Sequence, residues 1–507
     1  MKVYLAYRDR DLAWTAKAPD TSGPLVQDLG TDIICAVMAQ GDRYLFDIAR
    51  STIFASLDSP DAIRYRQAVL SDCLAHPDLA RELYALAVEA IDRERRVWGY
   101  SSRYPDSLLR RSVDVLRQFM ELLRRLRTIG ETRAAELGSD GFRRFFGELD
   151  AELGEAYFRA TEAHLRRLEF RDGVRMSAEL GPANRGAHYV LRRRVAKPTW
   201  RERIGLAEAG SFTWELPPRD EAGAQALGEL RGRGIALAAD ALARSTDHIL
   251  SYFAQLRAEL GFYVGCINLR EVLTAKGEPT CLPDPMPADR PVIEARGLYD
   301  LALSLSLGQM RAVGNDIDGD GKPLLVITGA NRGGKSTFLR SLGQAQLLLQ
   351  AGMFVPAASF RADVRSGVFT HFKREEDETL KSGKLDEELG RMSAIVDHVD
   401  ARSLVLLNES FASTNEREGS EIGRQVVRAL LERGVKIGYV THLYDLASSL
   451  CAERDGQGLF LRAERLPDGR RTFRLNEGSP LPTSYGQDIY RRIFDDGAED
   501  EDPSLRP

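Results

Sequence analysis

Over residues 32–168, apolar side chains return every third or fourth position, the period of a helix with one buried face. Ile33 and Val37, then Leu45, Ile48 and Ala49, keep that spacing, and residues 108–126 predict a long amphipathic helix with arginines on its outer face. Residues 1–30 are short and mixed, and the opening MKVYLAY reads as a single strand. The period changes at Glu169. Residues 170–181, 188–195 and 211–216 predict strands, punctuated by the turn residues Asp172-Gly173, Gly181-Pro182 and Gly186. Helical spacing resumes at Glu221 and runs through Leu227, Leu230, Leu242, Ile249, Phe253, Leu256 and Leu260. A Pro/Asp-rich stretch, 279–291, reads as a linker, and from 292 to 475 strands and helices alternate as in an α/β domain. The expectation is a multidomain chain. It comprises a short N-terminal segment (1–30), a mainly α-helical domain (31–290) with a small β insertion at about 166–220, an α/β domain (291–490) and a tail (491–507). Six acids among residues 495–502 make that tail read as a solvated, disordered end.

Composition narrows the class. A chain of 507 residues, 43% hydrophobic and 29% charged, has ample core material for several soluble domains. Its net charge of −5 excludes a uniformly basic coat, so any nucleic-acid contact must come from a local patch. The cysteines (Cys35, Cys73, Cys266, Cys281, Cys451) are scattered with no Cys-x-x-Cys pair, which suits free or buried thiols in a reducing compartment. No signal-peptide core and no apolar window of about 18 residues predict a cytoplasmic protein without a membrane partner.

The chemistry concentrates after residue 323. The apolar, largely β-branched run Leu324, Leu325, Val326, Ile327, Thr328 leads into Gly329-x-x-x-x-Gly334-Lys335-Ser336, and a helical run carrying Phe338, Leu339 and Leu342 follows. In that strand–loop–helix setting, glycines let backbone amides point at phosphate oxygens and the helix presents its positive end. Lys335 can reach the β- and γ-phosphates, and the Ser336 hydroxyl can ligate Mg²⁺, so the motif predicts a nucleoside-triphosphate site. A second apolar strand, 403–407, ends in Asn408-Glu409. In ABC-type ATPases an Asp occupies the Asn408 position, supporting the Mg²⁺ shell, and the next Glu orients or deprotonates the attacking water. Glu409 suits that role; Asn408 supplies no charge. A third strand, 436–441, ends in His442, a candidate γ-phosphate sensor in a chain with seven histidines.

These residues carry a resemblance. Val313-Gly314-Asn315-Asp316, TGANRGGKST, QAGMFVPA from Gln350, LVLLNESFASTNEREG and Thr441-His442 resemble the ATPase domain of the MutS family of DNA mismatch-repair proteins, and Gly419 falls where that family's signature ends. The resemblance implies an ABC-type P-loop ATPase domain using ATP and Mg²⁺. Gly329, Asn331, Gly333, Gly334, Lys335, Ser336, Thr337 and Asn315 would hold the nucleotide, and Ser336 and Asn408 the metal. Lys335, Glu409 and His442 would act in hydrolysis, and Ser413, Thr414 and Asn415 would form the segment presented across a homodimer to the partner's γ-phosphate. Further upstream, Asp58-Ser59-Pro60-Asp61-Ala62-Ile63 resembles the start of the family's helical lever/core domain, and Leu260-Gly261-Phe262-Tyr263 its returning lever helix. Several features depart from the family pattern. About thirty residues precede the lever, which leads us to expect neither the mismatch-reading nor the connector domain; Ala330 and Arg332 replace the usual Pro and Met. Residues 380–392 lack the usual Ser/Thr-Phe, and Phe146-Gly147-Glu148 matches a mispair wedge only by chance, in a helix-forming stretch.

The family's β insertion clamps the DNA backbone. Here residues 166–203 hold eleven Lys/Arg against four acids, a local charge of +7. Arg175, Arg185, Arg192, Arg193 and Arg194 are the expected phosphate contacts, holding duplex DNA without reading sequence. Two functions follow: a homodimeric, Mg-ATP-dependent, DNA-binding ATPase, or a nucleotide-gated scaffold with little hydrolysis. A transporter- or SMC-type ATPase fits less well, with no long coiled coil, membrane span or LSGGQ-like signature.

Overall fold

The computed structural model describes residues 1–14, 22–97, 104–171, 173–184, 186–192, 215–374, 383–454, 456–466 and 470–482. Two compact units emerge: residues 1–3, 81–137 and 142–257 form one, and 4–80, 138–141 and 258–507 the other.

The first unit is helical. Its longest internal helix, Pro105–Arg133, starts with proline at the position where a missing N–H costs nothing. Leu109, Val113, Leu116, Met120 and Leu123 lie on one face and are buried, while Arg110, Arg124 and Arg125 face outward in ion pairs with Asp106, Glu162 and Glu89. Such exposed pairs add little stability beside the apolar face. Helices Asp140–Glu152 and Glu155–Leu168 follow. Phe146 is buried within the first of these, as expected of a core residue rather than a wedge. Strands β1 (Met176–Leu180) and β2 (Gly186–Leu191) then pair antiparallel, Met176 opposite Leu191. Phe170, Val174 and Leu191 anchor the hairpin's base on Leu109, Ile235 and Ala239. The third predicted strand falls mostly outside the described residues, and 215–217 are not in a strand. Helix Glu221–Ala275 begins in this unit and ends in the other.

The second unit holds two sheets. In the smaller, β3 (Asp284–Met286), β7 (Ser359–Asp363), β4 (Ile293–Leu298) and β5 (Asn315–Asp318) lie in that order. The larger is ordered β12 (Arg471–Glu477), β11 (Gly458–Arg465), β6 (Leu324–Gly329), β10 (Lys436–Val440), β9 (Leu404–Asn408), β8 (Val368–Phe372). All its pairings are parallel except β12 against β11. Strands β9 and β10 alternate their two apolar faces. Val405, Leu407, Ile437 and Tyr439 pack with Met392, Val427, Leu430 and Leu446, which belong to helices Lys384–Val396, Glu416–Glu432 and Tyr444–Glu453. Leu406 and Gly438 face the opposite side, against Gly343 and Leu339 of helix Lys335–Gln350. Continuous apolar strands are what a parallel sheet covered on both faces requires.

Three expectations change. The stretch 279–291 is not a free linker: β3 pairs with β7, and Cys281 and Val355 exchange backbone hydrogen bonds of 3.2 and 2.8 Å. Its prolines fit an edge strand, where a missing donor is tolerated. Residues 1–7 form no strand, because side chains take the place of a neighbouring strand. Glu259 Oε2 accepts from the Leu5 and Ala6 amides at 2.6 and 2.9 Å, Tyr263 donates to the Leu5 carbonyl at 2.6 Å, and Arg66 Nε donates to the Ala6 carbonyl at 3.0 Å. The compact units also cut the chain differently from a boundary at 290. Residues 4–80 belong with the α/β sheet, tied to it by Arg66 Nη1 to the Ala351 carbonyl (3.1 Å), Gln67 to the Pro283 carbonyl (2.9 Å) and Gln344 to the Leu29 carbonyl (2.8 Å). The tail beyond 482 lies outside the described residues.

Glu259 is fully buried, so Glu259→Ala strips acceptors from buried amides with no water to replace them. Chemical denaturation should show a loss of about 1–3 kcal/mol; a variant as stable as the parent would mean those amides find other partners.

Candidate nucleotide-binding site

The loop between β6 and helix Lys335–Gln350 is shaped by close approach. Gly329 has φ +110°, and a Cβ there would lie 2.9 Å from the Ala463 amide nitrogen of β11, so no side chain fits. Gly334, at φ +87°, caps the helix, whose first-turn amides have no partner within the helix. Lys335 is nearly buried and its Nζ donates to the Gly329 and Ala330 carbonyls, both at 3.0 Å. Burial lowers its pKa, the Glu409 carboxylate opposes that shift, and Arg471 adds to it.

Parallel pairing brings the second strand to the same end of the sheet. The Ser336 hydroxyl donates to Asn408 Oδ1 at 2.7 Å, joining residues 72 positions apart. Beyond Asn408 the backbone turns sharply: Glu409 and Phe411 have φ +54° and +63°. Left-handed non-glycine residues cost about 1–3 kcal/mol each and persist only where their surroundings hold them. The Glu409 amide donates to the Val440 carbonyl at 2.8 Å, extending the sheet by one bond. Gly419 completes the hold, since a Cβ there would stand 2.3 Å from the Phe411 carbonyl oxygen. His442, past the end of β10, places Nδ1 4.0 Å from Glu409 Oε2, too long for a hydrogen bond.

The remaining expected residues divide. Ser413 Oγ donates to the nearly buried Glu388 carboxylate at 2.6 Å, Thr414 donates to Glu418 at 2.6 Å, and Asn415 Oδ1 caps helix Glu416–Glu432 through the Glu418 amide at 3.0 Å. These three are thus held on the turn that follows Glu409. Asn315 clips β5 to β12: its Nδ2 donates to the Phe473 carbonyl at 3.2 Å and its Oδ1 accepts from the Leu475 amide at 2.7 Å. The Asn331 carbonyl accepts from Arg471 Nε at 3.4 Å. Thr337 lies on a cleft of about 460 Å³ beside the loop, together with Leu307, Met310, Val313, Gly334 and Phe473. Met310, Val313 and Phe473 are 66%, 40% and 48% exposed, an unusual concentration of open apolar surface. Sequence reasoning missed this cleft, because Phe473 alternates with its neighbours like any strand residue and reaches Gly334 only through the β11–β12 hairpin.

Of the arginines expected to meet phosphate, Arg175 and Arg192 are exposed neighbours across the β1–β2 hairpin. The Arg192 amide donates to the Arg175 carbonyl at 2.8 Å, and Arg192 Nε donates to Ser177 Oγ at 2.9 Å. Arg185, Arg193 and Arg194 lie outside the described residues.

Comparison with known proteins places the chain in a family. The family model of the MutS2 N-terminal domain matches residues 58–276, and that of MutS domain V matches residues 325–489. The chain is 30% identical over 181 residues to a DNA mismatch repair protein MutS of Chloroflexus aurantiacus, covering 32% of this chain and 19% of that one. It is 33% identical over 163 residues to an endonuclease MutS2 of Geobacillus kaustophilus (31% and 21%) and 28% identical over 225 residues to a MutS of a Synechococcus species (42% and 24%). The matched stretches therefore span about a fifth to a quarter of these relatives. Two family models fall on consecutive stretches of one chain, and the second takes in both the glycine-rich loop and the Asn408-Glu409 strand end: the chain is a MutS-related protein.

Proposed function

We propose that this protein is a DNA-binding ATPase of the MutS type, working as a homodimer whose nucleotide state controls its hold on duplex DNA. The observation that carries the reading is the 2.7 Å bond from Ser336 to Asn408, which sets a phosphate loop beside the strand end bearing Glu409. Loop amides and Lys335 bind the β- and γ-phosphates, and the cleft beside Gly334 takes the apolar face of the base against Met310, Val313 and Phe473. Glu409, with His442 4.0 Å away, orients the water that attacks the γ-phosphate. Ser413, Thr414 and Asn415 are the residues a partner's nucleotide would meet.

The donor set fits Mg²⁺: the Ser336 hydroxyl and the Asn408 carbonyl are hard oxygen donors within hydrogen-bond distance of each other. Bound there with ATP, the ion would neutralise charge on the phosphates. Both donors are neutral, so nucleotide phosphates would have to supply the anionic charge. That neutrality also favours a second reading, a nucleotide-gated scaffold that binds ATP and hydrolyses it little. The exposed arginines of the hairpin and the local charge of +7 support contact with the DNA backbone. Among the described residues no helix is long and apolar enough to cross a membrane.

Lys335→Ala should abolish turnover, by ~10²–10³-fold or more for loss of a charge on the transferring phosphates; an ATPase assay showing parental rates would reject the site. Asn408→Asp restores a carboxylate beside Ser336, so a Mg²⁺ titration of turnover should shift to lower concentration. ATP binding without turnover in the parent, with turnover appearing in Asn408→Asp, would select the scaffold reading. Reversing charge at Arg192, Arg193 and Arg194 should weaken DNA binding and flatten its logarithmic salt slope by roughly 2–3, at about 0.9 per lost phosphate contact. Unchanged affinity across a salt series would leave the patch a solvated face.

A further inference from the structure

The turn that aims Glu409 contains a buried histidine contact which none of the roles above uses. Ser410 sits between the left-handed residues Glu409 and Phe411 and is fully buried. Its hydroxyl lies 2.7 Å from His371 Nδ1 and 2.8 Å from the carbonyl oxygen of the same residue, while its own carbonyl accepts from the Tyr439 hydroxyl at 2.9 Å. His371, on β8, is also fully buried, and its ring stacks on Phe411 with centroids 5.6 Å apart at 24°. Its Nε2 lies 3.0 Å from the Glu388 carbonyl oxygen, which can only accept. Nε2 therefore carries the ring proton, Nδ1 is the acceptor, and the single Ser410 proton serves two acceptors on His371. Burial, reinforced by the charge of Arg391, holds the imidazole pKa down to about 4, which keeps this tautomer neutral.

Glu388 joins the two ends of the turn. Its backbone carbonyl receives His371, and its carboxylate receives Ser413 at 2.6 Å. One ring and one glutamate thus grip residues on both sides of the left-handed Phe411.

We propose that His371 is a positioning residue for Glu409, holding Ser410 so that the strained turn keeps the carboxylate aimed at the attacking water; this rests on the ATPase reading of the same site. Affinity for ATP is set elsewhere, by the phosphate loop and the apolar cleft. Loosening the turn should therefore lower kcat and leave binding nearly alone, since a misplacement near 1 Å costs on the order of a hundredfold in rate.

The test measures kcat and the ATP dissociation constant, with thermal melting as a fold control, for Ser410→Ala, His371→Asn and His371→Gln. Asparagine can set an amide oxygen where Nδ1 stood and keep the Ser410 bond; glutamine can keep only the bond to Glu388. Ser410→Ala and His371→Gln should lose about tenfold to a hundredfold in kcat, with the dissociation constant moving less than about threefold, and His371→Asn should fall about tenfold less far than His371→Gln. The inference is overturned if Ser410→Ala turns over like the parent, if the two His371 variants fall together, or if binding weakens in step with turnover. Should the His371 variants not fold, Ser410→Ala alone decides between these outcomes. Turnover that survives Lys335→Ala sinks the ATPase reading itself, whereas turnover lost in Lys335→Ala and kept in Ser410→Ala sinks this inference only.

Discussion

Parallel pairing of β6, β10 and β9 is the constraint on which the site depends. A parallel sheet puts the carboxyl ends of its strands on one edge, so three distant segments deliver Gly329, Asn408 and Val440 to the same place. The bond from Ser336 to Asn408 spans that edge, and Glu409 is pinned to it by one amide bond to Val440. Such an edge cannot form alone. It needs strands apolar on both faces and helices on both sides, and the buried glutamines of helix Lys335–Gln350 show how tightly one of those helices is held. Gln344 bonds Leu29 and Asp300, and Gln350 bonds Arg365, so the helix that follows the glycine-rich loop is fixed by its polar side chains as well as its apolar ones.

Against that rigid edge, the turn after β9 stores strain. Two left-handed non-glycine residues in three positions would relax if they were free. Four contacts oppose this: Tyr439 and His371 on Ser410, the close approach of Gly419 to Phe411, and the bond from Ser413 to Glu388. The same turn carries the expected water-orienting group at one end and the expected partner-facing segment at the other. A change at either end must therefore work against the same few buried contacts.

The parts legible in the sequence were those whose signal is local. The strand, glycine-rich loop and helix of 324–350 follow from glycine spacing between a strand and a helix, and the acidic strand end from an apolar run closing on Asn408-Glu409. The helices of 32–168 follow from period. What was hidden depends on contacts between distant residues. The opening MKVYLAY has a strand's composition, yet its hydrogen bonds go to Glu259, Tyr263 and Arg66. The 279–291 stretch has a linker's prolines, yet β3 closes the edge of the smaller sheet. His371 lies in VFTHF, an unremarkable strand, and its bond to Ser410 crosses 39 positions. Phe473 becomes part of a cleft only because β12 folds back beside the loop.

The Asn315 clip has a consequence for which chemical group that position accepts. Its carbonyl oxygen accepts a hydrogen bond from the Leu475 amide and its own amide donates one to the Phe473 carbonyl, so both halves of one small group are engaged two residues apart on β12. Aspartate has the same outline but donates nothing when ionised, and would set a negative charge against the Phe473 carbonyl. Leucine would fill the space and strand both backbone groups. Asn315, whatever else it meets, is a two-way fastener in the wall of the cleft, and the position calls for a donor and an acceptor at once.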